Sequence, residues 1–262
     1  MEGPLALPPA LNEASGVAMS RRHEDVVWIH NDSGEPELHA VGPRGQALGI
    51  FQLDVRRARD WEDVAVGPCA DGGDCLYIGD VGNNYAEADT VRVLRVREPA
   101  EPGAGGTLAV ESFAMVFDGT PHDLESLFVL PDGALYLVGK GGNEPVTLFR
   151  YPMPLRSDTT VTLEAVQRLS EVPRSLPRQV TGADTEPGSS RVVLRTYETL
   201  VFHRMDGDTL VPVEDGVVSL RTLRESQGEG VAWGPGGRIV VVSEAGPLGR
   251  DGGMTVLTCR IG

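Results

Sequence analysis

Ten oxygen-bearing side chains stand in two aligned columns along this chain. The inner column is Ser15, Glu62, Glu125, Thr181 and Glu229, and two residues before each member stand Glu13, Asp60, Asp123, Gln179 and Gln227. Carboxylates gathered at one point repel, so either their pKa values rise or a cation binds among them. Calcium suits such a set, since it takes roughly six to eight oxygen ligands in loose geometry, hydroxyls and waters included. Zinc calls for His or Cys, which the inner column lacks. The inner column is therefore the candidate metal site, with Ca2+ as the expected ion. A purely structural use stands beside it, in which each side chain bonds the backbone of a neighbouring repeat.

A second polar set follows each apolar run: Asn31 and Asp32, Gly79 and Asp80, Gly139 and Lys140, Thr196 and Tyr197, Ser243 and Glu244. With His30, His122 and Arg195 close by in sequence, it offers both signs of charge. Arg195, Lys140, Tyr197 and Glu244 are candidates to hold the phosphate, sulfate or carboxylate of an anionic small molecule. Asp80, Asp32 and His30 are candidates to activate water. The histidines also suit bonds to nearby loops, and Lys140 and Arg195 suit simple charge compensation. The run Asp80, Val81, Gly82, Asn83, Asn84 has the composition of a calcium loop without EF-hand spacing, and reads equally as a turn. No nucleophile elbow, P-loop or zinc motif is present.

The elements that must position these groups come from an internal repeat, which is sought first because missing it mis-assigns a fold. Segments 11–20, 59–68, 122–131, 178–187 and 226–234 align without gaps, each polar at its start and apolar after. A turn rich in Gly, Asp or Ser follows each. Then come aliphatic runs at 26–29, 76–78, 135–138, 192–194 and 239–242. Further strands read at 91–97 with 108–117, and at 146–152 with 161–167. Four short antiparallel strands repeated about every 50 residues predict a five-bladed β-propeller. First strands are expected near 15–20, 62–67, 125–130, 181–186 and 229–234, lining the axis, so that both polar sets meet at one channel mouth. The last unit shows three strands, and the N-terminal segment 5–11 is expected to supply its fourth, closing the ring and removing exposed edges. Trp61 and Trp233 are expected between blades and Trp28 in the core.

The inner column resembles the axial calcium ligands of soluble calcium-activated nucleotidases (apyrases). Those are five-bladed propellers whose blades present a Ser-Glu-Glu-Ser-Glu ring to one calcium ion. Thr181 departs from that pattern but keeps the hydroxyl. More of the chain is similar to a bacterial propeller family marked by Asn31-Asp32-Ser33-Gly34, Asp60-Trp61-Glu62-Asp63, the run 78–84, Val180-Thr181-Gly182-Ala183-Asp184 and Leu194-Arg195-Thr196-Tyr197. This likeness implies the fold and the metal more than any particular reaction.

Bulk properties fit a single domain over 1–262. With 40% hydrophobic and 23% charged residues the chain can fill a core, and its 33 glycines and 19 prolines are spread as turns would be. A formal charge of −15 argues against nucleic acid, which wants a basic face. No apolar stretch is long enough to span a membrane. The opening Met1-Glu2-Gly3-Pro4 lacks the basic and apolar regions of a signal peptide. Cys69 and Cys75 bracket a turn and are expected to pair, which would imply an extracytoplasmic protein, while Cys259 reads as a lone strand residue. A monomer is expected. Two function classes follow: a calcium-dependent hydrolase acting at the channel mouth, and a binding module in which calcium only stiffens the ring.

Overall fold

Alternating short apolar runs and glycine-bearing turns make hairpins, and the hairpins close into a ring. The computed structural model describes residues 1–85, 87–246 and 252–259. Blade 1 comprises Ala14–Met19, Val27–Asn31, Glu37–Val41 and Ala47–Leu53. Blade 2 comprises Trp61–Pro68, Asp74–Asp80, Val91–Arg97 and Glu111–Val116. Blade 3 is built from Leu124–Val129, Leu135–Gly139, Pro145–Arg150 and Glu164–Pro173, and blade 4 from Val180–Thr185, Arg191–Thr196, Thr199–Asp206 and Thr209–Ser219. Blade 5 joins Gly228–Trp233, Arg238–Ser243 and Gly253–Thr258 to Glu2–Ala6 from the other end of the chain. The chain is a five-bladed all-β propeller. Among the described residues no helix is long and apolar enough to cross a membrane.

Several strand boundaries differ from the sequence expectation. The first strands begin one residue early. The closing strand is Glu2–Ala6, not 5–11, because Leu7 and Leu11 are buried between blades 5 and 1. Residues 161–162 do not start the outer strand of blade 3; they pair in parallel with the outer strand of blade 2. Leu163 fixes this, since its side chain is buried and its N–H donates to Val116 O at 2.9 Å. Gly106–Leu108 likewise adds to the outer edge of blade 1. Both additions cover strand edges that would otherwise be open to pairing with other chains.

Five apolar clusters, one in each blade junction, form the core. Trp28 and Trp61 share the cluster between blades 1 and 2, and Trp233 meets Phe202 edge-on at 5.0 Å between blades 4 and 5. Cys69 and Cys75 form a disulfide across a tight turn, with Cα atoms 5.2 Å apart. Cys259 is free and half-buried. Closing so short a loop contributes about 2 kcal/mol. Reduction is therefore expected to lower the unfolding free energy by that amount, and thiol titration of non-reduced protein to find one reactive cysteine. Three free thiols without reductant would count against the bond.

Candidate metal site at the channel mouth

Every inner strand carries a β-bulge at the same place. The pairing register skips Ser15 and Gly16, Glu62, Glu125, Thr181, and Glu229 and Gly230. A bulged residue has no partner directly opposite, and its side chain is re-aimed. In all five blades the bulged residue is the inner-column residue, which turns the column toward the axis.

The next residue in each blade closes the axis below. At Gly16 an added Cβ would lie 2.7 Å from Val64 N, at Gly182 2.9 Å from Glu229 O, and at Gly230 2.5 Å from Ser15 O. Only glycine allows backbones so close. In blade 2 that position is Asp63. Its Oδ1 accepts from Val64 N at 2.9 Å, and its Oδ2 accepts from Leu127 N of blade 3 at 3.1 Å and Ala183 N of blade 4 at 3.0 Å. Blade 3 separates blades 2 and 4, so this carboxylate lies across the axis. Burial pushes its pKa well above the usual carboxylate range, against the three N–H donors. Asp184 accepts from Thr185 N and Trp233 N, both at 2.7 Å, and burial raises it to about 7. Sequence reasoning passed over both; the available signal was an acid inside an otherwise apolar strand.

Above this floor, Asp32, Asp60 and Glu62 each place a carboxylate oxygen within 4.8 Å of the others. Asp32 N donates to Glu13 O at 3.0 Å, and Asp32 O accepts from Trp61 N at 2.7 Å, which ties blade 1 to blade 2. Asp60 O accepts from Val81 N and Gly82 N at 3.1 and 3.2 Å, and Asp60 N donates to Asp80 Oδ1 at 3.1 Å. Gly82 backs the cluster: a Cβ there would sit 2.2 Å from Glu62 Oε1 and 2.3 Å from Asp60 Cγ. Burial, then the charge of Asp60, raises Asp32 to about 7. Glu62 stands well above its usual range through burial and the charges of Glu125, Asp32 and Asp60. Asp32 Oδ1 is buried without a hydrogen-bond partner.

The other column members face the same mouth with different commitments. Ser15 Oγ donates to Glu62 O at 2.7 Å and Thr181 Oγ1 to Glu229 O at 3.0 Å, so both hydroxyls bridge blades. Glu125 accepts from Lys140 Nζ at 2.5 Å, and Lys140 also donates to Asn84 Oδ1 at 3.1 Å. Burial opposes the Lys140 charge, but Glu125, Glu62 and Asp123 outweigh it and raise its pKa. Burial lifts Glu229 to about 7. Tyr197 is raised by burial and by the charges of Glu229, Glu125 and Glu62, and Glu244 by burial and Glu13.

Three expected site residues sit elsewhere in role. Arg195 is fully buried, donating to Gly230 O at 2.6 Å, Val242 O at 2.8 Å and Glu225 Oε2 at 2.6 Å, so it pins blade 4 to blade 5 instead of facing substrate. Asp80 is buried against Arg92 at 2.6 Å and orders the Asp60 backbone. His30 lies edge-on to Trp61 below the mouth, wholly buried, and that burial lowers its pKa to about 4. All three are enclosed by protein and engaged with neighbouring groups. His122 pairs with Glu144 at 2.5 Å beside Phe117 and Phe149.

The cation missed from sequence is Arg59. It lines, with Asp60, Gly82, Asn83, Asn84, Tyr85, Glu87 and Ala88, a cleft of about 430 Å³ beside the carboxylates. Asn83 clamps the 81–88 loop, its amide exchanging hydrogen bonds with Ala88 N and O, both at 3.0 Å. That clamp ties Asn83 to Ala88 across the cleft wall.

No protein-family model and no curated protein matches the chain. Solved structures do share its shape. The PQQ-bound aldose sugar dehydrogenase of Streptomyces coelicolor is 12% identical, with a TM-score of 0.54 over 96% of each chain. The apo form of the soluble aldose sugar dehydrogenase of Escherichia coli is 12% identical, with a TM-score of 0.54 over 97% of this chain and 99% of that one. A luciferin-regenerating enzyme is 10% identical, with a TM-score of 0.51 over 98% and 96%. At such identities the likeness is one of fold, and it places this chain among the β-propellers.

Proposed function

We propose that this chain is a calcium-binding propeller that hydrolyses a small anionic substrate in the cleft beside Asp60. One observation carries the reading: three carboxylates converge within 4.8 Å next to a cleft that holds a cation. The donor set is all oxygen, one buried oxygen of Asp32 lacks a partner, and the Gly82 position leaves room only for the carboxylates, so the residues fit calcium. Asp32, Asp60 and Glu62 would hold the ion, with Glu125, Glu229, Ser15 and Thr181 facing the same space. Bound there, calcium supplies charge to polarise a substrate oxygen. Arg59 and Lys140 then orient the anionic group, with Tyr197 and Glu244 at the rim. A carboxylate oxygen of Asp32 or Asp60 that the ion leaves free accepts a proton from water. The disulfide supports an extracytoplasmic setting.

Calcium at a hundred times its Kd is expected to raise Tm by roughly 5–10 °C, because it binds only the folded ring. EDTA should reverse this, and Glu62→Gln and Gly82→Ala should each weaken calcium binding by roughly tenfold to a hundredfold. An unchanged melting curve together with metal-free elemental analysis would remove the ion. Hydrolysis is read by screening phosphoesters, nucleotides and carboxylic esters with added calcium, with Arg59→Ala expected to raise KM. The second reading, a binding module with structural calcium, is favoured by the locking of Asp80, His30 and Arg195 into the scaffold. It prevails if calcium stabilises the fold while every substrate stays intact.

A further inference from the structure

A second cavity lies away from the axis, in the junction of blades 3 and 4. It encloses about 190 Å³ and is lined by Val146, Leu169, Val180, Leu194, Val201, Leu210 and Pro212, with Gln167, Arg168, Arg174, Thr196 and His203 as its polar members. Val146, Val180, Leu194 and Leu210 of this lining belong to the buried apolar cluster of that junction, so the space borders the cluster. The outer strand of blade 4 breaks its register beside it, between the pairs Val201 with Val217 and His203 with Pro212.

The polar lining divides into satisfied and unsatisfied groups. Gln167 exchanges both of its amide bonds with Leu210 N and O, at 2.8 and 3.2 Å. Thr196 Oγ1 bonds Thr199 Oγ1 at 2.8 Å, and His203 Nδ1 donates to Val201 O at 3.1 Å. The two arginines remain. Among the described residues neither makes an ion pair, and no Asp or Glu lines the cavity, in a chain of charge −15. Arg174 is held ready: its N–H donates to Gly141 O at 2.6 Å, its carbonyl accepts from Gln179 Nε2 at 3.2 Å, and one guanidinium nitrogen donates to Leu169 O at 3.3 Å. The remaining guanidinium donors form the flat fork that matches a carboxylate.

We propose that this cavity binds a small monocarboxylate with an apolar body about the size of a benzene ring, its carboxylate on Arg174 and Arg168. An apolar cavity of about 150 Å³ is enough to take up benzene, so the volume here admits a phenyl group. Val172 and Leu176, flanking Arg174 in sequence, are each 66% exposed and extend the apolar surface on that loop. The site is independent of the channel mouth and does not rest on the hydrolase reading.

Phenylacetate and its neutral isostere phenylacetamide test it, by calorimetry and ligand-observed NMR on the intact protein. Phenylacetate is expected to bind in the millimolar range or tighter, and phenylacetamide at least about tenfold more weakly, since a charge-assisted fork contributes that much. Arg174→Ala should weaken phenylacetate about tenfold and Arg168→Ala less, with both variants folding because neither side chain is core. Leu210→Trp should fill the space and abolish binding. If that variant fails to fold, the arginine pair still decides. Equal binding of acid and amide, indifference to Arg174→Ala, or no phenylacetate binding at 10 mM (about ten times the millimolar Kd expected) would each overturn the proposal.

Discussion

Arg195→Ala should lower the stability of this propeller by about 3–5 kcal/mol and its Tm by roughly 10 °C. Removing the guanidinium strands Glu225, whose side chain is only 10% exposed, and leaves the carbonyls of Gly230 and Val242 without their donor. Gly228 offers no replacement, since it is glycine to make room: a Cβ there would lie 2.2 Å from the Arg195 Nη2 atom. Lysine keeps the charge but cannot reach all three acceptors, two on blade 5 and one on the segment before it, so Arg195→Lys should recover only part of the loss. Thermal unfolding followed by circular dichroism checks both. Wild-type melting with altered substrate handling would return Arg195 to the substrate site that its place in the sequence suggested.

The second large effect is expected at Asp63. Asp63→Ala leaves the N–H groups of Val64, Leu127 and Ala183 buried with no acceptor, on three different blades. Each orphaned donor costs about 1–3 kcal/mol, so a loss of roughly 3–9 kcal/mol follows. Asp63→Asn keeps one acceptor oxygen but points an NH2 at backbone donors, and should fall between the two. Hydrogen exchange at Leu127 and Ala183 is the most direct readout, since protection there should fall in step with stability. Retained protection and an unchanged denaturation midpoint in Asp63→Ala would show that the axis is closed by backbone packing alone.

These two sites mark where reading along the chain stops. Blade number, strand order, the turn disulfide and the inward column were all legible, because each is written in local pattern. Strand alternation, turn glycines and the spacing of Ser15, Glu62, Glu125, Thr181 and Glu229 repeat with the blades, and a ring of repeats brings like positions together. The closing strand was legible in kind and shifted in place, since burial of Leu7 and Leu11 depends on what blade 1 presents to them.

Only the tertiary structure decided which polar groups are free. Arg195, Asp80 and His30 lie one or two residues before the positions that Asp32, Lys140 and Glu244 hold in their own blades. Their difference arises from partners 12 to 47 residues away: Arg92 for Asp80, and Glu225, Gly230 and Val242 for Arg195. Whether a charge binds a ligand or holds the scaffold depends on which opposite charge or backbone group lies within hydrogen-bond reach, and that is set by packing across blades. The same holds for the carboxylate cluster. Column spacing drew Glu62 toward Glu125 and Glu229, and the fold adds Asp32 and Asp60 within 4.8 Å of it, with the Asp60 carboxylate and Glu62 both against Gly82.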